Sequence, residues 1–190
     1  SWLLSSSENN VLQTAYCLIV RSASKTMWDS GMVRSPQQSF IPYQGLPLQS
    51  KREYTWHVTV WDQAGNAACG EGTFETGIFH PEEWRARWIE STLLRPEIPC
   101  PPFWSLRYPV QFEKEFYLDG KIASARLYPT AHGIYRAYVN GLRPDDREFA
   151  PEHTVYDKIL YYQTYPVEDL LRQGKNTLRF SVADGWYFCP

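Results

Sequence analysis

Between Tyr54 and Trp61 the chain alternates with a period of two: Tyr54, Trp56, Val58 and Val60 are apolar, while Thr55, His57 and Thr59 are polar. Successive side chains of a strand point to opposite faces, so this pattern predicts a β-strand with one buried face. The run Gln13 to Arg21 is rich in β-branched and aromatic residues and too short for a typical helix, which predicts a second strand. Turn chemistry at Ser22 to Lys25 follows it, Asp62 to Asn66 closes the alternating strand, and Gly72 to Gly77 supplies a short last strand. Several short strands within about 75 residues imply a small sandwich.

A second β region is predicted further along. Strands are expected over Val110 to Leu118, Ala125 to Tyr128, Ile134 to Val139, Ile159 to Tyr165 and Asn176 to Ala183. Asn140-Gly141 closes the third of these with strong hairpin-turn chemistry. Val167 to Leu171 reads as a single helical turn stopped by Gly174, and Arg143 to Asp157 as a long irregular insert. Between the two regions, His80 to Ile89 carries Trp84 and Trp88 and reads as a junction. The stretch from Arg95 to Pro109 holds Pro96, Pro99, Pro101, Pro102 and Pro109 and is expected to be irregular. The expected organisation is therefore all-β, with domains at 1–79 and 110–190 joined by a Trp- and Pro-rich junction at 80–109. The second domain fits a jelly-roll sandwich that stops before two full Greek keys are complete. Such a domain would leave strand edges unpaired, which favours a homodimer.

Composition narrows the function. Lys and Arg number five against six Asp and Glu up to Phe79, and fourteen against fifteen beyond it. Neither part is basic, so nothing supplies the counterion release that drives nucleic-acid binding. No apolar stretch is long enough to cross a membrane, and without a visible leader the chain is expected in the cytoplasm, or secreted if a leader has been removed ahead of Ser1. Cys17, Cys69, Cys100 and Cys189 form no C-x-x-C pair and read as free thiols.

Two series of motifs go further. The first runs Gln13-Thr14-Ala15-Tyr16, Trp28-Asp29-Ser30-Gly31, Tyr54-x-Trp56-x-Val58-x-Val60-Trp61-Asp62, Phe74-Glu75-Thr76-Gly77 and Trp84-x-Ala86-x-Trp88-Ile89. It resembles a fibronectin type III domain and, as a series, the N-terminal region of bacterial α-L-rhamnosidases of glycoside hydrolase family 78. The second runs Tyr138-Val139-Asn140-Gly141, Ala150-Pro151, Tyr156-Asp157, Tyr162-Gln163-Thr164-Tyr165 and Asp184-Gly185-Trp186-Tyr187. It resembles the jelly roll that follows in that family.

The resemblance implies a fibronectin-like, immunoglobulin-like sandwich, then a jelly roll related to a rhamnose-binding module. An (α/α) six-fold barrel that hydrolyses terminal α-L-rhamnose with inversion is expected beyond Pro190, so no residue here is assigned as catalytic acid or base. In the family the loop after Ala-Pro usually reads Gly-Trp-Thr-Asp-Tyr. Here it reads Glu152-His153-Thr154-Val155-Tyr156, without that Trp and that acidic group.

Candidate chemistry is of two kinds. Trp104, Tyr156, Trp186 and Tyr187 offer aromatic faces on which a pyranose ring can lie, and Asn140 offers a donor and an acceptor for sugar hydroxyls. Core packing and turn chemistry account for the same residues without a ligand. Asp145 and Asp146, with Glu148, Glu152 and Asp157 nearby, offer oxygen ligands of the kind calcium takes, or a solvated acidic loop. No other cofactor is expected. Three roles follow: an accessory region of an α-L-rhamnosidase whose partners are rhamnosides and the rest of the enzyme, a free-standing carbohydrate-binding module, or a protein-interaction scaffold.

Overall fold

A computed structural model describes residues 1–93, 97–100 and 104–187, the side chains of 97–106 aside. The chain divides into two compact units, Ser1–Arg87 and Trp88–Pro190. Both are β: the helical segments among the described residues are two single 3-10 turns, Pro81–Glu83 and Glu168–Leu170.

The first unit is built on β1 (Gln13–Ser22), β2 (Lys25–Val33), β3 (Glu53–Asp62) and β4 (Ala67–Glu75), an antiparallel sheet in the order β2-β1-β3-β4. The period-two pattern fixes its register, with Tyr16 across from Val60, Leu18 from Val58 and Val20 from Trp56. Tyr54, Val58 and Val20 are almost fully buried on the shared face. The last strand begins at Ala67, earlier than its sequence suggests, because the Asp62 carboxylate accepts from the amides of Ala64 and Asn66, both at 2.8 Å, and closes a tight hairpin. Asp29-Ser30-Gly31 forms a bulge in β2, where the Ser30 hydroxyl takes the Leu18 amide at 2.8 Å that the ladder leaves free.

Residues 34–50 run over that buried face without a ladder of their own, and side chains tie them down. Buried Gln13 donates to the carbonyls of Ser35 and Gln37, both at 3.0 Å, and accepts from the Trp2 indole at 2.9 Å. Ile41, Tyr43 and Leu48 complete the apolar layer. Cys17 and Cys69 are free thiols.

The second unit holds β5 (Glu97–Cys100), β6 (Trp104–Arg107), β7 (Val110–Leu118), β8 (Arg126–Leu127), β9 (Ile134–Val139), β10 (Tyr165–Pro166) and β11 (Gly174–Ala183). Its main sheet runs β7-β11-β9, antiparallel throughout, and the short pair β10-β8 packs over the β9 side. Tyr135, Ala137 and Val139 of β9 form the core with Ala131, Ala150, Tyr165 and Val167. Asn140 and Gly141, at φ 51° and 84°, make the tight turn their chemistry predicts.

Two expectations fail here. The Pro-rich stretch is not wholly irregular: β5 and β6 pair antiparallel, with Pro99 across from Ser105. Both strands of a two-stranded ribbon are edges, where a proline without an N–H is tolerated. Conversely, the strand expected over Ile159 to Tyr165 shrinks to Tyr165 and Pro166. Ile159 and Tyr161 are about half exposed, and the amides of Lys158 and Ile159 both turn back to the Val155 carbonyl, so no face is buried to hold a ladder.

Candidate functional site

One end of β9 gathers seven rings from four separate stretches of chain. Trp88 and Tyr187 sandwich the His132 imidazole almost face to face, with centroids at 4.5 and 4.6 Å and planes within 8° and 11°. Tyr156 meets Tyr187 edge-on at 5.3 Å, His153 meets Tyr156 at 6.0 Å and Trp186 at 5.8 Å, and Phe149 meets Trp186 at 5.8 Å. Offset-stacked and edge-on geometries are the favoured ones for aromatic pairs. Trp88, Phe149, Trp186 and Tyr187 each keep between 43% and 62% of their surface open to solvent, so the row is not a closed core.

Two glycines make the gathering possible. Gly133 opens β9 at φ 112°, and a side chain there would strike the Ala183 carbonyl oxygen at the end of β11. Gly185 sits at φ 52°, and a Cβ would approach Ile134 to 2.8 Å. Without side chains, the start of β9 and the end of β11 close on each other, which lays His132 against Tyr187.

The other rings come from the 143–157 loop. Its middle is pinned to β9: the Tyr135 amide donates to the Ala150 carbonyl at 2.7 Å, and Ala150 and Pro151 are buried. Phe149 and Glu152 on either side take positive φ, 60° and 83°, a strained conformation for residues with side chains. From this anchor the loop presents Phe149, His153 and Tyr156. Two hydroxyls in it, Thr154 Oγ1 and Tyr156 Oη, are buried without a hydrogen-bond partner among the described residues. Burial pushes the Tyr156 phenol up from its ordinary value.

Of the residues singled out from the sequence, Tyr156, Trp186 and Tyr187 belong to this array. Asn140 does not. It lies at the other end of β9, about 20 Å away for a six-residue strand. There its amide donates to Leu170 and Asn176 and its oxygen accepts from the Thr177 amide. Asn176 is completely buried. Trp104 lies in β6, its side chain outside the described set.

Asp145 and Asp146 do not gather into a metal shell: among the described residues, no group of three or more His, Cys, Asp or Glu could hold an ion. Arginines occupy the loop instead. Glu148 is held by Arg143 at 2.7 Å and Arg136 at 2.8 Å, which keeps its carboxyl below the usual value. Arg147 lies between Asp145 and Glu152 and donates to Gln163. These cations would repel a calcium ion.

Sequence reading missed Trp88, Phe149, His132 and His153 as members of a site. The signals present were Gly133 and Gly185, each beside a ring-bearing residue at a strand end.

Comparison with known proteins places the chain in a family. The model of the Rha78A-like N-terminal immunoglobulin domain matches residues 1–80, and that of the α-L-rhamnosidase N-terminal domain matches residues 120–189. An α-L-rhamnosidase of Formosa agariphila is 32% identical over 98% of this chain and 21% of its own length. The structure of the α-L-rhamnosidase from Dictyoglumus thermophilum superposes with a TM-score of 0.84 at 33% identity, over 99% of this chain and 23% of that one. That of Aspergillus terreus gives 0.74 at 30% identity, over 96% and 21%. The chain thus spans about a fifth of the length of these relatives. It comprises, in order, the N-terminal immunoglobulin domain and the N-terminal domain of the α-L-rhamnosidase family.

Proposed function

We propose that this chain is the non-catalytic N-terminal region of an enzyme that removes terminal α-L-rhamnose from glycosides, and that its second unit binds that sugar on the aromatic array. The array carries the reading. It offers half-exposed ring faces beside two buried hydroxyls, Thr154 Oγ1 and Tyr156 Oη, that lack partners among the described residues. A buried hydroxyl left unpaired costs about 1–3 kcal/mol, so a shift of the loop that let a sugar hydroxyl reach either one would recover part of that cost. The faces of Trp186 and Tyr187 suit the C–H side of a pyranose, as apolar ligand sites with a few convergent polar groups do.

A non-catalytic role is supported by three carboxylates of the 143–157 loop, Asp145, Glu148 and Glu152, which lie against arginines. Inverting glycosidases need one protonated and one ionised carboxyl roughly 6.5–9.5 Å apart across the bond. Glu148, held ionised by Arg143 and Arg136, is unsuited to the acid. The partner on this reading is the rest of the same enzyme, which the region orients on its substrate.

The test is tryptophan fluorescence of the 190-residue chain titrated with L-rhamnose, beside an assay of p-nitrophenyl α-L-rhamnoside hydrolysis. A saturable fluorescence change without hydrolysis is expected. Hydrolysis by the chain would overturn the non-catalytic reading, and a flat titration the sugar-binding one.

A further inference from the structure

Strand β7 ends the main sheet of the second unit, and among the described residues its outer backbone groups meet no other strand. Its sequence, Val110-Gln111-Phe112-Glu113-Lys114-Glu115-Phe116-Tyr117-Leu118, is nearly symmetric about Lys114. On one face lie Val110, Phe112, Phe116 and Leu118, half-buried, with exposed Lys114 among them; on the other lie exposed Gln111, Glu113, Glu115 and Tyr117. Among the described residues, none of the four is packed against the buried core of the unit.

An edge of this kind invites another strand, and its charges decide which. Antiparallel pairing with a second copy about Lys114 sets Phe112 against Phe116 favourably. It also sets Lys114 against Lys114 and Glu113 against Glu115 twice, and like charges directly across a ladder are destabilising. A slip of two residues puts Glu113 against Glu113 or Glu115 against Glu115. A slip of one relieves the charges but turns the apolar face of one copy onto the charged face of the other. The inner side of β7 already follows the opposite rule: Arg179 of β11 lies directly across from Glu113, and Lys175 bonds Glu115 at 2.6 Å.

We propose that the β7 edge is a docking site for a strand that is not a second copy of this chain: an antiparallel strand whose centre reads basic-acidic-basic, with apolar residues two positions either side. Its basic residues meet Glu113 and Glu115, its acidic residue meets Lys114, and its apolar pair covers Phe112 and Phe116. The site is independent of the aromatic array and uses none of its residues.

The experiment is fluorescence anisotropy of two labelled nine-residue peptides with the full 190-residue chain. One is Val-Thr-Phe-Lys-Glu-Lys-Phe-Thr-Val; the other repeats the β7 sequence. The complementary peptide is expected to bind at least about tenfold more tightly, an advantage that shrinks with added salt. The triple variant E113K/K114E/E115K is expected to reverse the preference. The exchanged side chains are exposed, and circular dichroism checks that the fold persists. Equal binding of the two peptides, binding of neither, an unreversed preference, or a wild-type dimer with cross-links in β7 would each overturn the proposal.

Discussion

The two ends of strand β9 are built to opposite rules. At the Val139 end the side chains are polar and every bond is accounted for. Asn176 is sealed from solvent and spends its amide on Arg172, Gly174 and Asn140, while Asn140 reaches Leu170 and Thr177. At the Ile134 end the rings are half open to solvent and two buried hydroxyls have no partner among the described residues. A buried polar network is stabilising only when it is fully satisfied. The first end therefore serves the fold. The second end carries groups that the fold leaves unused, and those are what a ligand can use.

The sharpest way to break this comparison is at the satisfied end. Asn176→Ala removes four hydrogen bonds from a site without solvent and is expected to cost the second unit about 3–4 kcal/mol in urea denaturation. Any variant of the array that cost as much would erase the distinction between the two ends. Gly133→Ala is expected to come next, at about 2–3 kcal/mol, because its methyl meets the Ala183 carbonyl at a φ that side chains avoid. Gly141→Ala, with positive φ but open space around it, should cost only about 1 kcal/mol in the same assay.

At the open end the expected sign changes. Tyr156→Phe deletes a buried hydroxyl that has no partner among the described residues, so stability should stay level or rise by up to about 1 kcal/mol. Affinity for L-rhamnose should fall several-fold in the same variant. A drop in stability instead would mean that the hydroxyl belongs to the fold.

The smallest expected effect concerns pH. Hydrogen bonds from Arg143 and then Arg136 lower the Glu148 carboxyl below its ordinary 4.5. A group depressed in the folded state contributes stability above its unfolded value and loses it as pH falls through the folded one. Melting temperature should therefore decline below about pH 4.5, and Glu148→Gln should flatten part of that decline. The group is exposed, so the change will be slight.

Much of the fold was legible because burial on one face leaves a period of two. β1, β3, β7, β9 and β11 could each be read from alternating or β-branched runs, and the Asn140-Gly141 turn from its chemistry. The β5–β6 ribbon was hidden, since its prolines argue against a ladder unless both strands are known to be edges. The Ile159 strand was over-read because an apolar run does not say whether a partner face exists to bury it. The site was half legible. Tyr156, Trp186 and Tyr187 could be chosen as rings near strand ends, but their assembly with Trp88, His132, Phe149 and His153 depends on tertiary closure through Gly133 and Gly185. Asn140 shows the converse: a side chain suited to sugar by type is engaged by its neighbours once the chain is folded.

The central claim, that the open end of β9 holds a rhamnose site, is tested most directly by calorimetric titration of L-rhamnose into the wild-type chain and into Trp186→Ala. The account predicts saturable heat with the wild type and an affinity at least about tenfold lower in the variant, with both proteins folded. No heat with a folded wild-type chain, or equal affinity in the two, would contradict it.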